Sequence, residues 1–390
     1  MDAGINSDWQ DWYRLSFNYG LSFTQKLALL KRLTLPENIF AASTRELAEI
    51  VGEQAALTMQ AQRAGVEEGL VACALWLSKS PEHHLVSLVD PRFPKGLLDL
   101  ADPPFLLFAH GALASLEAPA LAIVGSRSAS PQGVENAKAF AKSIGQAGYV
   151  VISGLALGID TAAHEGALAA NVATIAVIGT GIDRVYPARN HPLAKRIAAH
   201  GVIVSEFALG TPPLPQHFPR RNRLIAALAR GVLVVEAAKQ SGSLITAGLG
   251  LEIGREVFAI PGSIHSSVSK GCHQLIRQGA KLVESGQDIL EELVPIRNDA
   301  VAHSIKTLRE PRRPEQPSDP ETFLGPRQAE IDASDPVRMA MGFEPVQFVD
   351  IIERCKLPSE QVQIRLLELE LLGQIARLDD GRLLQIVEAT

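Results

Sequence analysis

Cysteine is scarce in this chain of 390 residues: Cys73, Cys272 and Cys355 are scattered, odd in number and without a C-x-x-C pair. That pattern excludes a disulfide frame and a structural zinc site, and it fits a reducing, cytoplasmic setting. No run approaches the roughly 18 consecutive apolar residues of a membrane-spanning helix, so no membrane association is expected. The N-terminal "MDAGINSDWQDWYRL" is acidic and polar, unlike a secretory leader with its basic start and apolar middle. Aromatic residues make up 5% and charged residues 21%, with a formal net charge of −6. Total charge therefore offers no attraction to nucleic acid, and any such role must come from a local patch.

Motifs of common chemistries are missing too. No glycine is followed by Lys and then Ser or Thr, which excludes a Walker loop. The turn after the first strand-like run of the central region reads "GSRSAS" rather than G-x-G-x-x-G, so no NAD or FAD site is expected. Neither a G-x-S-x-G elbow nor an H-E-x-x-H motif occurs. His164–Glu165 is a lone pair in an Ala-rich helical stretch and reads as packing. No enzyme, cofactor or bound metal is expected.

What is present divides the chain. Residues 1–82 carry helix-period apolar positions, as in "SFTQKLALLKRL" and "TRELAEIVG", and predict a small helical domain. Within 83–295 a proline-punctuated lead-in gives way to six short apolar runs: "ALAIVGS", "YVVISG", "ATIAVIGTG", "VIVSEF", "GVLVVEA" and "EVFAIPG". Each is apolar on both faces and is separated from the next by helical sequence, the signature of a doubly wound, Rossmann-like α/β domain. Residues 296–334 are charged, proline-rich and aperiodic, as a linker is. In 335–390, "PVQFVDIIERC", "SEQVQIRLLELELLG", "QIARLD" and "RLLQIV" predict helix, turn, helix and a β-hairpin turning at Asp380–Gly381. That is a winged-helix domain.

Ligands of open α/β sheets bind at the carboxyl ends of the strands. There the chain carries "GSRSASPQG" (Gly125, Ser126, Arg127), "SGLALGIDTAAH", "GTGIDRVYP" and "KQSGSLITAG" (Lys239, Ser241, Gly242, Ser243). Small residues allow backbone approach, and helix N-termini present unpaired N–H groups, so phosphate is the expected guest. Before the fifth run stands "HFPRRNRLIAALA", with Phe218, Arg220, Arg221, Asn222 and Arg223. Cations at a helix entry oppose its dipole, which points to retention for a polyanion. From Ser205 to Ala280, eight bases face four acids. Glu206, Glu236, Asp160 and Asp183 are expected to hold those arginines rather than to catalyse. The winged helix is the reverse, with six bases against ten acids from Asp335 onward, and its second helix suits protein contact better than duplex reading.

Taken together, "VGSR", "SGLALGIDTAAHEGAL", "SEF", "HFPRRNRLIAALA", "VVEAAKQSGSLITAG" and "GREVFAIPGS" resemble the DprA/Smf family, the DNA-processing proteins of natural transformation. The resemblance spans about residues 85–295, and the flanking domains match its common architecture, the first being SAM- or helix-hairpin-helix-like. It implies a cytoplasmic, homodimeric, non-catalytic protein of competence and DNA recombination that binds and protects single-stranded DNA. It also implies loading of the RecA recombinase with displacement of single-strand-binding protein. The DNA-binding positions it implies are Gly125, Ser126, Arg127, Arg221, Asn222, Arg223, Lys239, Ser241, Gly242 and Ser243, with Phe218 stacking on a base. In "GCHQLIRQGA", His273 stands where many members carry asparagine. The rival reading is a nucleotide-processing hydrolase of the lysine-decarboxylase-like phosphoribohydrolase type. Its "PGGxGT" loop has only "SGSLIT" as a counterpart here. A winged-helix regulator with a ligand-sensing domain is a third reading, weakened by the acidic helix.

Overall fold

The computed structural model describes residues 9–293, apart from 19 and 62, and 335–386, apart from 343–344, 372–373 and 379–381. The linker expected at 296–334 and the turn at Asp380–Gly381 lie outside the described residues. The chain forms two compact units, one up to Leu293 and one within Val294–Val387.

The first unit opens with six helices: α1 (Trp9–Ser16), α2 (Phe23–Leu33), α3 (Pro36–Ala41), α4 (Thr44–Val51), α5 (Glu53–Ala61) and α6 (Arg63–Ser78). Two of their starts are written locally. Ser22 and Gln25 form a capping box at α2, and Ser43 and Glu46 form another at α4. Gly52, at φ +88°, ends α4. The apolar faces do not close on themselves. Trp12, Leu15, Leu29, Ile39 and Leu47 share one core with Phe108, Ala176 and Ile203 of the sheet that follows.

That sheet contains β1 (His83–Ser87), β2 (Leu106–Gly111), β3 (Ala120–Val124), β4 (Val150–Ser153), β5 (Thr174–Val177), β6 (Val202–Ser205), β7 (Gly231–Val234), β8 (Glu256–Ala259) and β9 (Lys281–Leu282). Between them run α7 (Pro131–Gln146), α8 (Ile159–Ala169), α9 (His191–His200), α10 (His217–Leu228), α11 (Gly242–Glu252) and α12 (Lys270–Arg277), with α13 (Gly286–Glu292) last. The six expected runs are β3 to β8, and they are parallel. The strand order is β1-β2-β6-β5-β4-β3-β7-β8-β9. Beyond the expectation, β1 and β2 form an antiparallel pair that extends the sheet past β6. Prolines 91, 94, 103 and 104 between them mask the pairing, which depends on a partner distant in sequence. From β3 the chain winds one way through β4 to β6, then returns to β7 and winds the other way. The carboxyl ends of β3 and β7 thus mark the topological switch point.

His164, on α8, is packed inside as its Ala-rich surroundings suggest. Fully buried, its Nδ1 lies 2.7 Å from Thr174 Oγ1, and Thr174 donates to Val151 O at 2.8 Å. Burial, reinforced by Arg221, pushes the imidazole from 6.5 down to about 3. A depressed value means that the unfolded chain binds the proton first, so this site loses stability as pH falls from 6.5 toward 3. Relative to His164→Gln, the wild type is expected to lose about 1.4 kcal/mol per pH unit across that window. Urea unfolding of both proteins at several pH values checks it, and parallel profiles would refute it.

The second unit holds α14 (Pro336–Met341), α15 (Phe348–Cys355), α16 (Ser359–Leu371) and an antiparallel pair, β10 (Ile375–Arg377) and β11 (Leu383–Gln385). Val346 makes a single antiparallel bridge to Leu383 beside this pair. Val337, Met341, Ile351, Val362, Leu366 and Ile375 fill its core. This is the expected winged helix, preceded by an additional helix that Asp335 caps through the Val337 amide at 3.0 Å.

Candidate functional site

A cleft of about 720 Å³ opens at the β3/β7 switch point. Gly125, Ser126, Arg127, Phe218, Arg221, Asn222, Ser241, Gly242 and Ser243 all line it, as do Asp160 and Tyr186. Two expected residues do not. Lys239 is exposed on the adjoining β7–α11 loop, and Arg223 faces elsewhere.

The floor is backbone held close by glycine. Gly158 caps α8 at φ +76°, and a Cβ there would run into the carbonyl oxygens of Ser126 and Arg127. Its absence lets the Ile159 amide reach Ser126 O at 3.1 Å, seating the α8 N-terminus against the β3 loop. Opposite, Ser241 caps α11, its Oγ accepting from the Ser243 amide at 3.3 Å and lying 2.7 Å from Ser243 Oγ. Space beside the Gly242 Cα is open, with nothing within 4 Å of where a Cβ would stand. The first turn of α11 therefore faces the cleft unobstructed.

The arginines of α10 separate into different tasks. Arg221 is 4% exposed and donates from Nη1 to Gly154 O and Val177 O, clamping the carboxyl ends of β4 and β5. Its Nε donates to Asn222 Oδ1 at 3.1 Å, and Asn222 Nδ2 reaches Gly242 O at 3.3 Å, joining α10 to the α11 entry. Burial pushes the Arg221 guanidinium down to about 10, opposed by Asp160, so it remains a cation at neutral pH. Burial in turn raises the Asp160 carboxyl, while Arg221 and the Ala156 and Gly154 amides lower it.

Arg223 is buried against Glu206, and its Nη1 donates to Asp102 O at 2.8 Å. Arg220 Nε lies 3.3 Å from the same Glu206 carboxylate, although its own side chain is 59% exposed. The expectation that Glu206 holds arginines is thus met. For Glu236 it is corrected: Glu236 accepts from the Ser130 amide at 2.9 Å and the Ser130 hydroxyl at 2.5 Å, fixing the cap of α7. Asp183 likewise accepts from the Gly210 amide at 2.8 Å and orders a loop. A carboxylate near arginines in sequence finds its partner by loop geometry, which sequence order does not convey.

Rings form the remaining wall. The Arg127 guanidinium lies over the Phe218 ring, 5.3 Å from its centroid, and Tyr186 stands 5.7 Å from Phe218. Tyr186 was not among the expected site residues; the available signal was an aromatic side chain in the β5 strand-end loop "GTGIDRVYP". His273, the departure noted above, lies with Nε2 2.9 Å from Gly262 O, outside the cleft lining.

The cleft combines a helix N-terminus, serine hydroxyls, an exposed guanidinium and two aromatic faces. The fold and site define a Rossmann-like protein with an aromatic-walled cleft at its switch point, where a guanidinium and a helix N-terminus meet, and with a winged-helix unit. Comparison with known proteins matches residues 84–294 to the DNA recombination-mediator protein A family and residues 311–381 to the DprA winged helix domain. The chain belongs to that family. Protein Smf of Escherichia coli is 40% identical over 347 residues, spanning 88% of each chain. DNA processing protein DprA of Streptococcus pneumoniae is 50% identical over 206 residues, 53% of this chain and 73% of that protein. The X-ray structure of the Streptococcus pneumoniae protein aligns with a TM-score of 0.63 and 41% identity, covering 73% of this chain and 98% of that one. A structure of DNA processing protein A from Helicobacter pylori, described for its single-stranded DNA binding mode, aligns with a TM-score of 0.50 and 30% identity. It covers 55% of this chain and 96% of that one.

Proposed function

We propose that this protein binds single-stranded DNA in the switch-point cleft, protects it and loads RecA onto it during transformation and recombination, without catalysis of its own. The observation that carries the reading is the pairing of ring faces (Phe218, Tyr186) with Arg127 and the α11 entry. Unpaired bases offer faces to stack on, and the strand's phosphates suit the cation and the helix N-terminus. Homodimerisation and displacement of single-strand-binding protein complete the proposal, in keeping with the family resemblance. Among the described residues no helix is long and apolar enough to cross a membrane.

The hydrolase reading is not favoured. The β7–α11 turn lacks paired glycines, and Glu236, the nearest glutamate, is turned toward Ser130. For the winged helix we propose protein contact. Arg365 on α16 is paired with Asp335 and Glu368, both at 2.7 Å, so its charge is met within the unit.

Titration with labelled oligo-dT and with its duplex, over a range of salt, tests the function. Single strands are expected to bind preferentially, with affinity falling steeply as salt rises. Binding of neither form, with cleavage of a nucleoside monophosphate, would overturn the reading in favour of the hydrolase.

A further inference from the structure

Helix α10 borders two clefts. While Phe218, Arg221 and Asn222 face the switch point, His217, Arg220 and Arg223 line a second cleft of about 450 Å³. Its other walls are the α1–α2 segment, the loop entering β2 and the segment leaving β6, so the N-terminal helices and the Rossmann-like part build it jointly.

The polar make-up of this cleft is unusual. Lys26, on α2, is 7% exposed, and its ammonium donates to Ser16 O at 2.8 Å. It forms no ion pair with a carboxylate among the described residues. Burial, aided by the nearby Arg220, pushes this ammonium down to about 8, as expected of a cation without a counter-charge. Glu206 does not neutralise it, since its carboxylate is shared between Arg223 and Arg220 and is almost wholly covered. Asp102 adds a second acid, half-exposed and engaged with Arg223 at 3.5 Å. Three cations therefore meet two carboxylates, both already committed. Around them the cleft is aromatic: Phe23 is half-buried and stacked on Phe105 at 5.2 Å, and Arg220 lies over Phe207 at 5.7 Å.

A buried cation without a counter-ion next to stacked rings suits a ligand that is both anionic and planar. We propose that the second cleft is a further nucleotide subsite, with Lys26 and Arg220 meeting a phosphate and Phe23 a base. This rests on the single-stranded DNA reading of the first cleft and extends it. The common wall argues for one strand rather than a separate small ligand. His217 and Phe218 are consecutive and face different clefts, and a helix is only about 10–12 Å across, a gap that a few nucleotides of extended strand can cover. The N-terminal helices thereby contribute directly to the length of strand held.

The test compares full-length wild type, Lys26→Met and Arg220→Gln on oligo-dT of about 4 and about 16 nucleotides across a salt series. Lys26→Met keeps the side-chain volume and removes a buried charge; Arg220→Gln alters a largely exposed side chain and guards against a folding artefact. Each variant is expected to bind the longer strand roughly five- to tenfold more weakly, with a salt slope shallower by about 0.7, and to bind the shorter strand as wild type does. Wild-type affinity and slope on the longer strand overturn the subsite and leave the first reading standing. Equal losses on both lengths also overturn it, because the effect then belongs to the first cleft. If the wild type binds no single strand at either length, the parent reading falls, and the subsite falls with it.

Discussion

Arg221→Ala is expected to cost about 3–5 kcal/mol of folding stability, the range for removing one member of a buried charged network. The guanidinium is the shared donor for Gly154 O and Val177 O, at the ends of adjacent strands, and it faces the buried Asp160 carboxyl. Deleting it orphans two carbonyls and leaves Asp160 without its cation. Lysine would not restore the clamp, because a single ammonium on a flexible stem lacks the planar fork that reaches both carbonyls. Arg220→Ala, by contrast, is expected to cost under about 1 kcal/mol, since its side chain is largely solvated. Urea unfolding of the three variants measures this. Arg221→Ala and Arg220→Ala of equal stability would contradict the division of labour. With the expected destabilisation, loss of DNA binding in Arg221→Ala is to be read through folding and not as the loss of a phosphate contact.

A binding effect uncoupled from stability is expected at Phe218 and Arg127, since neither is buried and Arg127 is exposed. Phe218→Leu keeps an apolar side chain against Gly179 but removes the ring face, and should weaken single-strand binding by about 1–3 kcal/mol. That corresponds to a fall in affinity of roughly five- to 150-fold. Arg127→Gln should also weaken binding, but by a different route, reducing the salt slope by about 0.7 as one phosphate contact is lost. The two slopes discriminate between stacking and charge. Were Phe218→Leu to alter the slope and Arg127→Gln to leave it unchanged, the assigned roles would be reversed; two wild-type affinities would remove the strand from this cleft.

Much of the architecture is legible in the residues because it is repeated locally. Each of β3 to β8 is a short Val/Ile/Ala run ending near a small residue, and burial on both faces of a parallel sheet requires that pattern at every strand. The capping boxes at Ser22 and Ser43 are likewise statements about four consecutive residues. The β1–β2 pair was not legible, because an antiparallel edge is made by hydrogen bonds between segments that prolines separate in the chain. Most of the cleft was legible from its glycine- and serine-bearing turns, whereas Tyr186 became part of it only when the β5 loop came to lie beside α10.

The arginine cluster marks the boundary between the two kinds of information. From the sequence alone come the doubly wound class, the strand-end location of the site, the winged helix and the local excess of basic residues on an acidic chain. Only the tertiary structure decided that three guanidiniums within four residues do different work: Arg220 stays largely exposed at the edge of Glu206, Arg221 clamps β4 to β5, and Arg223 is buried against Glu206. The reason is geometric. Successive helix residues turn by about 100°, so neighbours in the chain point to different surroundings. What each surrounding offers, whether water, carbonyl oxygens or a buried carboxylate, is set by strands and loops contributed from elsewhere in the fold.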